Sequence, residues 1–151
     1  MRSEGFKESE VYLLHEITTR LDRIARVRFL APAGITYPEF LILMSARELP
    51  APTQEEVSVF VDMSKSLVSQ RVSALMKKGL LKRDGDPENR RKVKLRLTRA
   101  GEEKVARIYD EMISSSAELF DAMGDFRSAF RKALIRMTEN LALEERLTRP
   151  R

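Results

Sequence analysis

The chain contains no cysteine and no tryptophan, and it has one histidine among 151 residues. The absence of cysteine excludes disulfide bonds, thiolate metal ligands and cysteine nucleophiles. His15 has no second histidine at ligand spacing, so the sequence indicates neither a metal site nor a Ser-His hydrolase. Because we also find no cluster of acid, base and nucleophile, we expect no enzyme, no metal and no cofactor.

Glycine and proline are scarce, and long apolar runs are missing. Six residues of each type argue against long disordered segments. The longest apolar run, Phe40–Met44, is far too short to span a bilayer, and the first ten residues lack the apolar core of a signal peptide. We therefore expect a single cytoplasmic domain, residues 1–151, without membrane contact.

Positive charge is concentrated in one segment. Ser64–Arg99 carries 12 basic and 3 acidic residues, a net charge of +9, whereas the rest of the chain has a net charge of −4. This distribution is expected of a protein that binds a polyanion. A solvated charged face is the alternative interpretation.

The apolar pattern predicts helices through most of the chain. A first amphipathic helix is predicted from Ser9 to Leu30 and is ended by the segment APAG. Two capping boxes, one in TYPE and one in TQEE, predict the starts of the next two helices, which end near residues 48 and 60. After the hairpin described below, a long helix capped by Thr98 and a final helix after Gly124 complete the chain.

A further helix is predicted from Ser64 to Lys78, and Gly79 ends it. One side is apolar and the opposite side is small, polar and uncharged until its last turn. An ordinary solvent-facing helix more often carries pairs of glutamate and lysine. The apolar residues are Val68, Val72 and Leu75, and the polar ones are Ser66, Ser69, Gln70, Ser73 and Lys77.

A β-hairpin is predicted next. LLKR and KVKLRL read as strands, and DGDPENRR reads as the turn between them. In the second strand Val93, Leu95 and Leu97 alternate with cationic residues, so we expect one buried face and one basic face. The run that begins at the turn is not a calcium loop, because Asn89 and Leu95 replace the required glycine and glutamate.

Two short helices followed by a basic hairpin have the outline of a winged helix-turn-helix. We therefore predict a mainly α fold with a small β-hairpin wing, flanked by long N- and C-terminal helices. Small polar side chains let a recognition helix approach the major groove closely, and a basic hairpin follows phosphates and inserts an arginine into the minor groove.

The segment Ile35–Gly101 resembles the MarR family of bacterial winged-helix transcription regulators. The resemblance is carried by TYPEFLILMSA, VDMSKSLVSQRVSALMKKGLLKR, DPENRR and KLRLTRAG, in the family's order and spacing. It implies a homodimer that binds a pseudo-palindromic site in double-stranded DNA as a sequence-specific regulator, usually a repressor. It also implies three parts: a dimerisation helix in 1–33, a DNA-binding lobe in 34–99 and dimerisation helices in 100–151.

The resemblance also implies where DNA is bound. The recognition helix would be Ser64–Met76, and the wing tip would be Asp86–Lys92, with Arg90 or Arg91 in the minor groove. Asn89 stands where the family often has aspartate, so an ion pair that braces the wing arginine is not implied. The predicted DNA contacts are Ser64, Lys65, Ser66, Ser69, Gln70, Arg71, Arg90, Arg91, Lys92 and Lys94.

Two predictions retain alternatives. Arg71 lies between the two faces of its helix, so we expect it to bind phosphate, with an intramolecular carboxylate as the alternative. A winged-helix protein-interaction module without DNA binding is the alternative function, although the +9 segment argues against it. The resemblance finally implies release by a small aromatic or anionic effector, whose candidate pocket residues are His15, Arg20, Tyr37 and Phe40.

Overall fold

The computed structural model describes residues 5–85 and 93–148, with side chains described up to residue 144. Helices dominate these ranges, and two strands form an antiparallel hairpin. Within the described ranges, no helix is both long and apolar enough to cross a lipid bilayer. The elements are α1 (Glu10–Ile24), α2 (Tyr37–Glu48), α3 (Gln54–Phe60), α4 (Lys65–Lys77), β1 (Leu81–Gly85), β2 (Val93–Leu97), α5 (Arg99–Asp121) and α6 (Phe126–Thr148).

Both predicted capping boxes are confirmed. At the start of α2, the Glu39 carboxylate accepts from the backbone N–H of Thr36 at 2.7 Å, and Thr36 Oγ1 accepts from the Glu39 N–H at 3.4 Å. At the start of α3, the corresponding distances between Thr53 and Glu56 are 2.6 and 3.2 Å. Each box satisfies backbone donors that the first turn of a helix leaves without intrahelical partners.

The first helix changes its winding before the predicted end at Leu30. After α1, residues Ala25–Leu30 form a π-helical segment, in which the Ala31 N–H donates to the Arg26 carbonyl at 2.9 Å. This wider turn buries Ala25, Phe29 and Leu30, whereas α1 itself buries none of its residues. The end of the predicted helix therefore belongs to the core, and α1 contributes no fully buried side chain to it.

The core of the first unit is built from the π-helical segment, α2, α3, α4, the hairpin and the first turns of α5. The α4 residues predicted to be buried, Val68, Val72 and Leu75, are fully buried, which confirms the orientation of that helix. Other buried side chains are Ile35, Phe40, Ile42, Leu43, Val57, Leu80, Leu81, Leu95, Val105 and Ile108.

The predicted hairpin is confirmed, but β1 includes Asp84 and Gly85, which were predicted to lie in the turn, because both pair with β2; the buried face is also shorter than predicted. Leu81 pairs with Leu97 at one end of the ladder, and Gly85 pairs with Val93 at the other. Leu95 is fully buried, and its N–H donates to the Pro52 carbonyl at 2.7 Å. Val93 was predicted to be buried with it but is 45% exposed, because the glycine opposite offers no side chain to pack against.

The chain divides into two compact units, Met1–Met112 and Ile113–Arg151. The first unit contains α1 to α4, the hairpin and the beginning of α5; the second contains the rest of α5 and α6. In the second unit the apolar side chains of α6 are largely exposed within the single chain. The exposed ones include Phe126, Leu134, Met137 and Leu141.

Candidate nucleic-acid interface

The outward face of α4 presents small polar side chains to solvent. Ser66, Gln70, Ser73 and Lys77 are exposed, and Ser69 is half-buried. The Ser73 hydroxyl donates to the Ser69 carbonyl at 2.9 Å, which keeps that side chain close to the helix backbone. The protruding part of this face is therefore uncharged and slim until Lys77, a shape that fits a major groove.

The first turn of α4 is held by a cap and an ion pair. Ser64 Oγ accepts from the Leu67 N–H at 3.2 Å, so the predicted DNA contact Ser64 is also the N-cap of the helix. Lys65 Nζ lies 2.6 Å from Glu55 Oε1 on α3. The hydrogen bond from Lys65, together with its charge, lowers the pKa of Glu55. The cation nearest the helix start thus has a carboxylate partner in the absence of DNA.

Arg71 lies on the flank of α4 and is half-buried. Its Nε atom is buried and has no hydrogen-bond partner among the residues that the structure describes. An unsatisfied buried donor is unfavourable. No carboxylate of the described residues accepts a hydrogen bond from this atom, and both interpretations of Arg71 stay predictions.

The basic face of the hairpin also contains an acid. Arg96 Nε lies 3.0 Å from Asp84 Oδ2, and Lys82 Nζ lies 3.7 Å from the same oxygen. Lys94 Nζ lies 3.8 Å from Glu56 Oε2, which links β2 to α3. The predicted wing-tip contacts Arg90, Arg91 and Lys92 fall outside the described residues.

A cavity of about 780 Å³ lies beside the start of α2. Arg23 and Arg26 supply positive charge to its wall, and Tyr37 supplies an aromatic ring. Burial raises the pKa of Tyr37, and the Asp22 carboxylate raises it further, so the phenol stays protonated and can donate a hydrogen bond. The full lining is Thr19, Asp22, Arg23, Arg26, Ala31, Gly34, Ile35, Thr36, Tyr37 and Pro38.

Of the four predicted pocket residues, two lie at or next to the cavity and two lie elsewhere on α1. Tyr37 lines the cavity, and the ring of buried Phe40 lies 6.5 Å from the Tyr37 ring, centroid to centroid. His15 and Arg20 are exposed on α1 and are not in the cavity lining, and Arg20 hydrogen-bonds Glu16.

Sequence reasoning missed the two arginines that line the cavity. Arg23 and Arg26 are three residues apart and therefore lie on neighbouring parts of one helical face. That spacing, next to the helix break at APAG, was the available signal.

No group of three or more potential metal ligands occurs in residues 5–85 and 93–148.

Comparisons with known proteins agree on one family. The MarR family profile matches residues 35–93. The uncharacterized HTH-type transcriptional regulator YdcH of Bacillus subtilis (strain 168) is 35% identical over 105 residues, which cover 67% of this chain and 71% of YdcH.

Two solved structures illustrate the shared fold. The transcriptional regulator PcaV from Streptomyces coelicolor, in complex with its natural ligand, has a TM-score of 0.74 and 21% identity, covering 94% of this chain and 99% of PcaV. The transcriptional repressor CouR, bound to a 23-mer DNA duplex, has a TM-score of 0.70 and 24% identity, covering 93% of this chain and 99% of CouR. These two structures show that the fold is shared, and the profile and YdcH establish that the chain belongs to the MarR family of winged helix-turn-helix transcription regulators.

Proposed function

We propose that this protein is a homodimeric, sequence-specific regulator that binds double-stranded DNA through α4 and the hairpin. The observation that carries the proposal is the exposed, slim and uncharged face of α4 beside a cationic hairpin. The CouR neighbour is a repressor bound to a DNA duplex, which supports the same mode of action here. In this proposal residues 34–99 form the DNA-binding lobe, and residues 1–33 and 100–151 dimerise.

Apolar side chains that are exposed in the single chain support the dimer. On α1, Ile17 and Ile24 are exposed, and on α6, Phe126 is 78% exposed and Leu141 is also exposed. Amphipathic helices with uncovered apolar stripes gain free energy by packing against a partner. A second copy of the chain would place two α4 helices on the two halves of a pseudo-palindromic site. Light scattering should then give about twice the 17.4 kDa chain mass.

We further propose that the regulator is a repressor, as is usual in the family, and that a small aromatic anion releases it from DNA by binding in the cavity beside α2. The volume is in the range of small-molecule sites, and two arginines and a tyrosine line the wall. The PcaV neighbour holds its natural ligand, which supports a ligand-responsive regulator.

Benzoate is a suitable first probe of this cavity because it combines one ring with one carboxylate. Calorimetry with benzoate should show binding that Arg23→Gln weakens. Arg20→Gln tests whether the predicted Arg20, which pairs with Glu16, contributes. Unchanged binding by Arg23→Gln would remove the cavity from the proposal.

DNA binding is tested by fluorescence anisotropy of the full chain on duplexes from its own upstream region and on scrambled duplexes, at several salt concentrations. We expect selective binding with a steep salt dependence, because phosphate neutralisation releases counterions. Weak binding to every duplex would move the search to distant sites by selection from a random pool. No binding at low salt would overturn the proposal and favour the protein-interaction module.

The division between base and phosphate contacts is tested by two single variants. Gln70→Ala should reduce the preference at particular base pairs, since a glutamine amide reads base edges. Lys94→Ala should weaken binding to all duplexes similarly and reduce the salt slope by about one. Equal losses on every duplex for both variants would contradict this assignment.

A further inference from the structure

One lysine at the end of the recognition helix is bonded to a buried carboxylate, although its own side chain is 38% exposed. Lys78, the residue after α4, donates from Nζ to Glu39 Oε1 at 2.8 Å, to Glu39 Oε2 at 2.9 Å and to the Gly34 carbonyl at 2.9 Å. An ammonium has three N–H donors, so these acceptors are enough to engage all of them. Although Lys78 belongs to the +9 segment, its charge is committed to an internal carboxylate and not to phosphate.

The carboxylate at the other end of this pair is buried. Glu39 is 2% exposed, and besides Lys78 it accepts from the backbone N–H of Thr36 at 2.7 Å and from Thr36 Oγ1 at 3.2 Å. Burial raises the pKa of Glu39, but the hydrogen bonds from Lys78 and Thr36 outweigh it, so the net pKa is lowered and the carboxylate is charged. Removing either partner would leave a buried charge or an unmet donor.

The loop that Lys78 reaches is also held from α5. Lys104 Nζ donates to the Ala33 carbonyl at 2.7 Å, so two lysines from two different helices bind adjacent parts of the loop between α1 and α2. Gly34 and Thr36 line the cavity described above. The Glu39–Lys78 ion pair therefore lies between the cavity wall and the recognition helix.

The chain turns sharply directly after Lys78. Gly79 has φ +69°, a left-handed conformation that favours glycine, and the Leu80 N–H returns to the Leu75 carbonyl at 3.0 Å. The end of α4 cannot slide along its axis without breaking this turn or the bonds of Lys78. In a rigid lobe of this kind, a small displacement of α4 moves every base-contacting side chain together.

We propose that Glu39, acting through Lys78, is a positioning residue for DNA recognition. The pair sets where the end of α4 stands relative to α2, and thereby sets the fit of the α4 face to base edges. Phosphate attraction does not depend on the pair, because the Lys78 ammonium is engaged internally. This inference rests on the proposed function as a DNA-binding regulator.

The DNA test compares two adjacent, exposed lysines: Lys77 lies on the polar face of α4, and the Lys78 ammonium is bonded to Glu39 and Gly34. Anisotropy is measured with a duplex that the unaltered protein selects from a random pool and with a scrambled duplex. Lys78→Met should lower affinity for the selected duplex by about tenfold, comparable to one mismatched base pair, and leave the scrambled duplex and the salt slope unchanged. Lys77→Met should not reduce selectivity. Lys78→Arg, which keeps charge and reach, should restore part of the loss.

Glu39→Gln provides a second variant of nearly the same shape, in case Lys78→Met does not fold. It should reduce selectivity in the same direction, without a loss of affinity for the scrambled duplex, because it removes an acid and leaves the Lys78 charge in place. Equal losses on both duplexes with a reduced salt slope would show that Lys78 binds phosphate and would overturn the proposal. Unchanged selectivity in both variants would overturn it as well.

A measurement without DNA separates this inference from the proposed function. Hydrogen exchange of the full chain should become faster in Lys78→Met at the last turn of α4 and at Thr36, and should stay unchanged in α6. Unchanged exchange in α4 would overturn the positioning role, whatever the DNA result. If the unaltered protein selects no duplex, the proposed function fails, while faster exchange would still establish the link between the loop and α4.

Discussion

Gly101 lies in the first turn of α5, against the backbone at the start of the hairpin. A Cβ atom at this position would lie 1.9 Å from the Leu80 carbonyl oxygen and 2.9 Å from the Leu80 carbonyl carbon. Ordinary contact begins more than 1 Å farther out, so Gly101→Ala requires the two backbones to separate. The motif LTRAG, one of those that carry the family resemblance, thus ends in a glycine that a close approach requires.

The Leu80 carbonyl has little freedom to move away. It accepts from the Thr98 N–H at 3.1 Å, and the Thr98 hydroxyl donates to the Gly79 carbonyl at 2.6 Å and accepts from the Gly101 N–H at 3.0 Å. These hydrogen bonds hold the chain in place on both sides of the contact between Gly101 and Leu80. Relief of the clash must therefore break the cap of α5 or shift α5 away from the end of α4.

Gly101→Ala should destabilise the protein, whereas the same substitution at an ordinary helical position stabilises it. Glycine to alanine within a helix stabilises by about 1 kcal/mol when there is room for the methyl group. Here overpacking should instead lower the free energy of unfolding by about 1–3 kcal/mol. For a chain of this size, a loss of about 2 kcal/mol lowers Tm by about 4–8 °C.

Thermal denaturation followed by circular dichroism, at one fixed protein concentration, measures this effect. Gly85→Ala is the matched control, because nothing lies within 4 Å of the Cβ it would add and its φ is not left-handed. That control should stay within about 0.5 kcal/mol of the unaltered protein. If Gly101→Ala melts at or above the temperature of the unaltered protein, the close approach of α5 to Leu80 does not exist and the reasoning is refuted.

Three further substitutions test separate features. The pKa of Glu39 is lower in the folded than in the unfolded state, so its ionised carboxylate contributes fully to stability above about pH 5 and loses that contribution as the pH falls through the folded pKa. In an acid titration, Glu39→Gln should therefore lose stability less steeply below about pH 4.5 than the unaltered protein. Equally steep losses of stability in the two proteins would contradict this. Glu55→Gln releases Lys65 from an exposed ion pair, so its affinity for a scrambled duplex, measured by anisotropy, should rise by about twofold to fivefold. An unchanged affinity would mean that Glu55 does not compete with phosphate for Lys65. Thr53→Ala removes the side-chain cap of α3 and should lower the free energy of unfolding in urea by about 0.5–2 kcal/mol, with Gln54→Ala as a neighbouring control.

Local signals in the sequence predicted the helices of the winged helix-turn-helix, because each signal involves residues three or four apart. The two capping boxes and the buried side of α4 were confirmed for this reason. The Glu39–Lys78 pair joins residues 39 positions apart, and no local pattern specifies which lysine of a basic segment turns inward. The exposure of Val93 likewise depends on the residue opposite it in the hairpin, which the alternation of the strand does not reveal.

The number of free cations in the basic segment also depends on contacts between residues that are distant in the sequence. Lys65, Lys94 and Arg99 each have a carboxylate from outside the segment within 4.0 Å, and Lys78 is bonded to Glu39, so the net charge of +9 overstates the cations that face phosphate unpaired. Exposed pairs contribute only about 0–1 kcal/mol, so phosphate can replace their carboxylates at small cost. The acids nevertheless reduce attraction to every duplex equally. The proposed sequence selectivity is therefore assigned to the uncharged face of α4 and to the contacts that hold that helix in place.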